Sequence, residues 1–127
     1  MWNAWQPRAL SVLRLMTGLL FLEHGTAKLL GFPPGTARPA MFGLLWVSGV
    51  IELVAGGLVT VGLYTRIAAF IASGEMAVAY FQAHAPQNFY PLLNRGDAAI
   101  LYCFVFLYLV VAGGGSWSLD RIVRRRP

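Results

Sequence analysis

The sequence predicts an all-α membrane protein, a four-transmembrane-helix bundle with both termini on the cytoplasmic side (N-in, C-in). Three observations predict it. Of 127 residues, 57% are hydrophobic and only 12% are charged, with a mean hydropathy of +0.62, whereas a soluble domain carries about a quarter charged residues. The apolar residues gather into four runs separated by Pro/Gly-rich or charged breaks. The basic residues crowd toward one set of loop ends. A helix needs about 20 apolar residues to cross a hydrocarbon core, so residues 1–127 accommodate these spans as a single domain and no second one.

The first predicted helix covers residues 9–30. The preceding "MWNAWQPRAL" has no basic segment leading into a short apolar stretch and a small-residue cleavage site, so this helix is expected to stay in the mature chain. It ends at "GFPPGTARP", whose three prolines and two glycines cannot continue a helix. The second covers 41–63 and meets the third, 67–83, at the tight turn "VGLYTR". The connection "HAPQNFYPLLNRG" leads to the fourth, 97–113, whose apolar core over 98–112 is short and suits a thin bilayer.

Orientation follows from the cations. With both termini inside, Arg8, Arg66, Arg121, Arg124, Arg125 and Arg126 face the cytoplasm, while Lys28, Arg38 and Arg95 lie outside. The net charge of +5 then forms a collar for anionic lipid headgroups, and the tail "RIVRRRP" requires no nucleic-acid partner. Trp2, Trp5, Trp117 and Tyr64 stand where interfacial aromatics belong. The single cysteine, Cys103, excludes an intramolecular disulfide and a Cys-x-x-Cys redox centre. Electron transfer here needs a bound or partner-supplied cofactor.

Ionisable residues inside the spans are the functional candidates, because a charge facing lipid costs several kcal/mol. Counting rise from the cytoplasmic boundary puts Glu23 and His24 roughly 22 to 24 Å up helix one and Glu52 roughly 21 Å up helix two. The same count puts Glu75 roughly 13 Å up helix three and Arg14 roughly 9 Å up helix one, which makes Arg14 and Glu75 an expected structural intramembrane pair. Arg14, His24 and Lys28 share a face of helix one, from which Glu23 points away. Small or polar stripes, Ser48, Glu52, Ala55 and Gly56 on helix two and Ala68, Ala72, Glu75, Ala79 and Gln82 on helix three, are expected to pack inward around it.

Glu52 and His24 are therefore the expected proton-transferring, catalytic residues, with Lys28, His84, Asn94 and Asp97 as expected ligand-binding residues near the outer rim. Asn94 and Asp97 have a second reading, as N-cap and acidic N3 residues of a near capping box opening helix four. No metal site is predicted, since no two histidines sit at ligand spacing on one helix. Nucleophilic catalysis has no recognisable Ser or Cys elbow.

The pieces "RLMTGLLFLEHGTAKLLG", "GVIELVAGGLVTVGLYTRIAA", "EMAVAYFQAH" and "PLLNRGDAAILYCFVFLYLVVAGGGSWSLD" together resemble the DoxX family of small bacterial membrane proteins. The family pattern falls on His24, Gly25, Lys28, Gly49, Glu52, Arg66, Met76, His84, Asn94, Gly96, Asp97 and Asp120. Asp97 departs from it, standing where the family usually has Glu. The resemblance implies a multi-pass protein of the bacterial inner membrane linked to redox metabolism, with relatives in thiosulfate:quinone oxidoreductase, in quinone or catechol stress, and in a membrane oxidoreductase complex. The expected function is a quinone-interacting subunit of a membrane oxidoreductase or redox-stress system. Its expected partners are the lipid bilayer, a partner oxidoreductase subunit and further copies of itself. Phe21, Trp46, Tyr80 and Phe81 are expected to wall the quinone ring. Two alternatives stand beside it: a non-catalytic membrane anchor for a soluble redox enzyme, and a small proton-linked transporter.

Overall fold

Apolar runs that end at glycine, proline or charge become helices, and the computed structural model, which describes residues 2–32, 34 and 43–123, contains no strand among them. Arg38 with most of its linker, the first residues of the predicted second span, and Arg124, Arg125 and Arg126 lie outside the described residues. Helix α1 is Trp2–Leu30, α2 Leu44–Val61 and α3 Thr65–Ala79, which runs on into a π-helical turn, Tyr80–His84. The short α4, Pro91–Asn94, precedes α5, Asp97–Ala112, and α6, Leu119–Val123. At 1.5 Å per residue the 18 residues of α2 reach about 27 Å, and α2 is the helix among the described residues that is long and apolar enough to cross a membrane.

α1 starts well before the apolar run because Pro7 is tolerated inside it. Proline lacks the N–H that would bond four residues back, a loss of one bond near the helix start. The Pro7 carbonyl is in turn used by Ser11 Oγ at 3.2 Å and by the Ser116 N–H at 3.2 Å.

α1 packs along α2, α3 along α5, and α2 against α3. Glycines seven residues apart let α1 and α2 approach: a Cβ on Gly18 would stand 2.7 Å from the Thr60 nitrogen, one on Gly25 2.5 Å from the Leu53 nitrogen, and one on Gly56 2.9 Å from the Leu22 Cα. Ala68, Ala69 and Ala72 do the same for α3, buried in one core with Phe21, Val59, Met76, Ala99, Phe106 and Leu109.

One end of the bundle is stitched by side chains that satisfy helix-end backbone groups. Gly62, at φ 75°, closes α2 by donating to the Leu58 carbonyl, which also accepts the Leu63 N–H. Asp120 accepts the N–H groups of Tyr64 at 2.7 Å and Thr65 at 2.9 Å, which caps α3 from across the fold. Arg66 donates to the Val111 and Val110 carbonyls at the end of α5.

Arg14 belongs to the same set and corrects an expectation. Its guanidinium donates to the carbonyls of Gly114 at 2.5 Å, Trp117 at 3.0 Å and Thr60 at 3.4 Å, and no Arg14–Glu75 ion pair forms among the described residues. The reason is local: the end of α2 and the α5–α6 connection leave carbonyls that a buried guanidinium with five donors satisfies.

Candidate functional site

At the other end the four long helices diverge around a cleft of about 720 Å³. α1 contributes His24 and Lys28, α2 Ser48, Ile51 and Glu52, α3 Glu75, Met76 and Ala79, the π turn Gln82 and His84, and α5 Ala98, Ala99 and Tyr102. The lining residues with large exposed apolar side chains, Leu44, Leu45, Val47, Ile71 and Val78, all belong to α2 and α3. The exposed rim of the cleft thus combines apolar side chains of α2 and α3 with Gln82, Ala83, Arg95 and Ala98 from the π turn and the entry to α5. Gly74 keeps it clear, since a Cβ there would meet nothing within 4 Å.

The floor is polar. Lys28 Nζ donates to Glu52 Oε2 at 3.0 Å and to Ser48 Oγ at 3.0 Å, and Ser48 Oγ donates to Glu52 Oε2 at 3.2 Å. Glu52 is 1% exposed, against 26% for the Lys28 side chain. Close approach of α1 and α2 makes this pairing possible, since a Cβ on Gly49 would stand 2.9 Å from the Lys28 Cβ. Glu75 reaches the same group from α3, interacting with Glu52, Lys28 and Ser48. Glu52 Oε1 and Glu75 Oε1 are both buried without a hydrogen-bond partner among the described residues. Two carboxyls thus face one ammonium.

His24 lies at the edge of the cleft with its ring edge-on to Tyr102, 5.9 Å between centroids. Its Nδ1 is 3.0 Å from the Leu20 carbonyl, which only accepts, so Nδ1 carries a proton and Nε2 is the ring nitrogen left for another partner. His84 is fixed the same way, Nδ1 to the Asn94 carbonyl at 2.9 Å. The cleft offers acceptors in the open oxygens of Glu52 and Glu75, and donors in the Arg95 guanidinium, the Gln82 amide and the Tyr102 hydroxyl, which line it too. Among the donors, Lys28 keeps one N–H after its two bonds.

Asn94 and Asp97 stand apart from the lining. Asn94 is 1% exposed, donates to Tyr80 Oη at 3.1 Å and the Asn88 carbonyl at 2.9 Å, and accepts the Gly96 N–H at 2.8 Å. Its side chain is consumed in holding the turn into α5. The capping-box reading is corrected too: Gly96 is the N-cap and Asp97 the first helical residue, exposed and favourably placed in the dipole of α5. Of the aromatics expected as walls, Phe21 is fully buried behind Tyr102 at 5.6 Å, Phe81 is exposed, and Tyr80 and Trp46 stand outside the lining. Tyr102, which the sequence reading overlooked, is the aromatic that faces the cleft. Its signal was available: it falls on the α5 face that carries buried Ala99 and Phe106.

Residues 9–85 match the DoxX family model. The chain belongs to the DoxX family. A protein of Haemophilus influenzae with no described function is 44% identical over 122 residues, spanning 91% of this chain and 91% of the relative. A membrane protein of Mycobacterium tuberculosis, also uncharacterized, is 29% identical over 138 residues, with 94% of this chain and 84% of the relative covered. CatD of Bacillus subtilis, provisionally named an oxidoreductase, is 28% identical over 119 residues, with 88% of this chain and 84% of the relative covered. No solved structure matches. This is therefore a DoxX membrane protein.

The DoxX pattern positions divide in space. His24, Lys28, Glu52, Met76 and His84 line the cleft, with Gly25 and Gly49 at the helix crossing beneath it. Arg66 and Asp120 belong to the stitched end, and Asn94 and Gly96 to the α5 turn.

Proposed function

We propose that this DoxX protein is a multi-pass protein of the bacterial cytoplasmic membrane, with α1, α2, α3 plus its π turn, and α5 as four spans in the N-in, C-in orientation, and that it is a quinone-interacting subunit of a membrane oxidoreductase. One observation supports the reading: a cleft whose α2 and α3 rim is apolar, which we read as opening sideways toward hydrocarbon, and whose floor is the buried Lys28–Glu52–Ser48 group with Glu75 beside it. A soluble substrate has no need of a lateral apolar mouth, and a structural ion pair has no need of a cavity around it.

The residues divide the work. Leu44, Leu45, Ile71 and Val78 receive the isoprenoid chain, and Tyr102 lies against the ring. Lys28 orients Glu52 and keeps one N–H for a ring oxygen. The open oxygens of Glu52 and Glu75 accept hydrogen bonds from the hydroxyls of the reduced ring and take up or return its protons. His24 Nε2 at the edge links this floor to water. Quinone and quinol differ by two electrons and two protons, and a partner subunit exchanges the electrons.

The test is a binding titration of the protein in lipid nanodiscs with a short-chain benzoquinol under anaerobic conditions. Saturable binding that Glu52→Gln abolishes without lowering the melting temperature is the expected result. Unchanged binding by Glu52→Gln removes the carboxylate from the head-group site.

A further inference from the structure

A second cavity, of about 540 Å³, lies at the stitched end of the bundle between the start of α3, the α5–α6 connection and the first turns of α1. Its cations are Arg66 and Arg121. Arg66 uses Nη1 on the Val110 and Val111 carbonyls, while its Nη2 and Nε edge lies over Gly113, 3.2 and 3.4 Å from where a Cβ would stand. The Arg121 side chain is exposed and forms no hydrogen bond or ion pair among the described residues. Asp120 is the carboxylate in the lining, and both its oxygens are engaged by the Tyr64 and Thr65 amides. Among the described lining residues, two guanidinium groups against one carboxylate leave one net positive charge.

The backbone and a buried hydroxyl add uncharged donors. The amides of Gly114 and Gly115 form no hydrogen bond within the protein among the described residues. Thr65 lines the same cavity, is fully buried, and its Oγ1 has no partner among the described residues. Pro7, Leu10, Ile67 and Ala112 make an apolar part of the wall, beside Tyr64, Ser116 and Ser118, with Ile67 exposed at the rim.

We propose that this cavity binds the phosphodiester of an anionic membrane phospholipid. A phosphodiester carries the single negative charge that the lining leaves uncompensated. Guanidinium edges and open glycine amides are the donors that match its oxygens. The apolar wall beside them distinguishes a lipid from free phosphate, because acyl chains cover Ile67 and Leu10 while the headgroup meets Arg66 and Arg121. The site is separate from the quinone cleft and independent of what that cleft binds.

The test uses the full chain purified from mixed phosphatidylglycerol and phosphatidylcholine, with bound lipid counted by native mass spectrometry. Arg121→Gln is the variant, since that side chain holds nothing else in place. Wild type is expected to retain phosphatidylglycerol over phosphatidylcholine, and Arg121→Gln to lower that preference about five-fold. Equal retention of the two lipids by wild type, or an unchanged preference in Arg121→Gln, overturns the proposal. A melting-temperature gain from inorganic phosphate as large as that from phosphatidylglycerol also overturns it, by assigning the site to the free ion.

Discussion

Lys28 is the ammonium that faces both Glu52 and Glu75, and this uneven charge count is the most informative fact at the residue scale. Removing one partner of a buried pair costs far more than the pair contributes, because the remaining charge stays in low dielectric. Lys28→Ala is therefore expected to destabilise the protein by about 3 kcal/mol, read as a lowered melting temperature, whereas Glu52→Gln keeps an acceptor for Lys28 and Ser48 and melts near wild type. Asn94→Ala is expected to cost about 2 kcal/mol through three lost side-chain bonds while leaving quinol affinity unchanged. A quinol affinity that falls with Asn94→Ala would return Asn94 to the binding site.

The meeting of Lys28 and Glu52 was legible in the sequence because each lies on a polar or small-residue face expected to turn inward, whereas the rise count set Glu52 level with Glu23 and His24 instead. The same arithmetic separated Glu75 from Glu52 because it set Glu52 too high. Counting rise from Arg66 treats the turn between Val61 and Thr65 as helix, which lifts Glu52 to roughly 21 Å. Counted from the helix ends, nine residues to Glu52 and ten to Glu75 give about 13.5 and 15 Å, the same level. The partners of Arg14 were illegible for another reason: they are backbone carbonyls, which every residue carries and no side-chain pattern reveals.

Among the elements, the α1–α2 crossing is set by glycines whose missing Cβ atoms let the backbones touch. Gly25→Ala places a Cβ 2.5 Å from a backbone nitrogen that cannot rotate away, so a loss of about 3 kcal/mol is expected. Gly57→Ala, on the same pair of helices but facing open space, is expected to gain about 0.8 kcal/mol from helix propensity. Chemical or thermal unfolding in one detergent compares the two, and equal effects would contradict the crossing geometry. Asp120→Ala is expected to cost about 1 to 2 kcal/mol by uncapping α3. The helices themselves were read from apolar runs and glycine or proline breaks. The π turn at Tyr80–His84 and the extension of α1 past Pro7 were not, because no side-chain pattern marks a π turn and a proline reads as a break although an early helical turn tolerates it.

For the whole molecule, two ends with opposite roles emerge: one tied together by Arg14, Arg66 and Asp120, the other opened into a cleft. The proposed orientation puts the tied end in the cytoplasm. In a Cys103→Ala background, cysteines placed at Trp5 and Ile122 are expected to resist a membrane-impermeant maleimide in intact cells, while one at Pro86 reacts. The reverse pattern would invert the bundle. The central claim is the lateral cleft, and photolabelling in native membranes with an azidoquinone, mapped by mass spectrometry, tests it most directly. The account predicts labels within residues 44–52 and 71–84 and at Tyr102, displaced by unlabelled quinol. Labels on the exposed outer face of α1, at Val12 to Leu20, or labels that quinol does not displace, would contradict it.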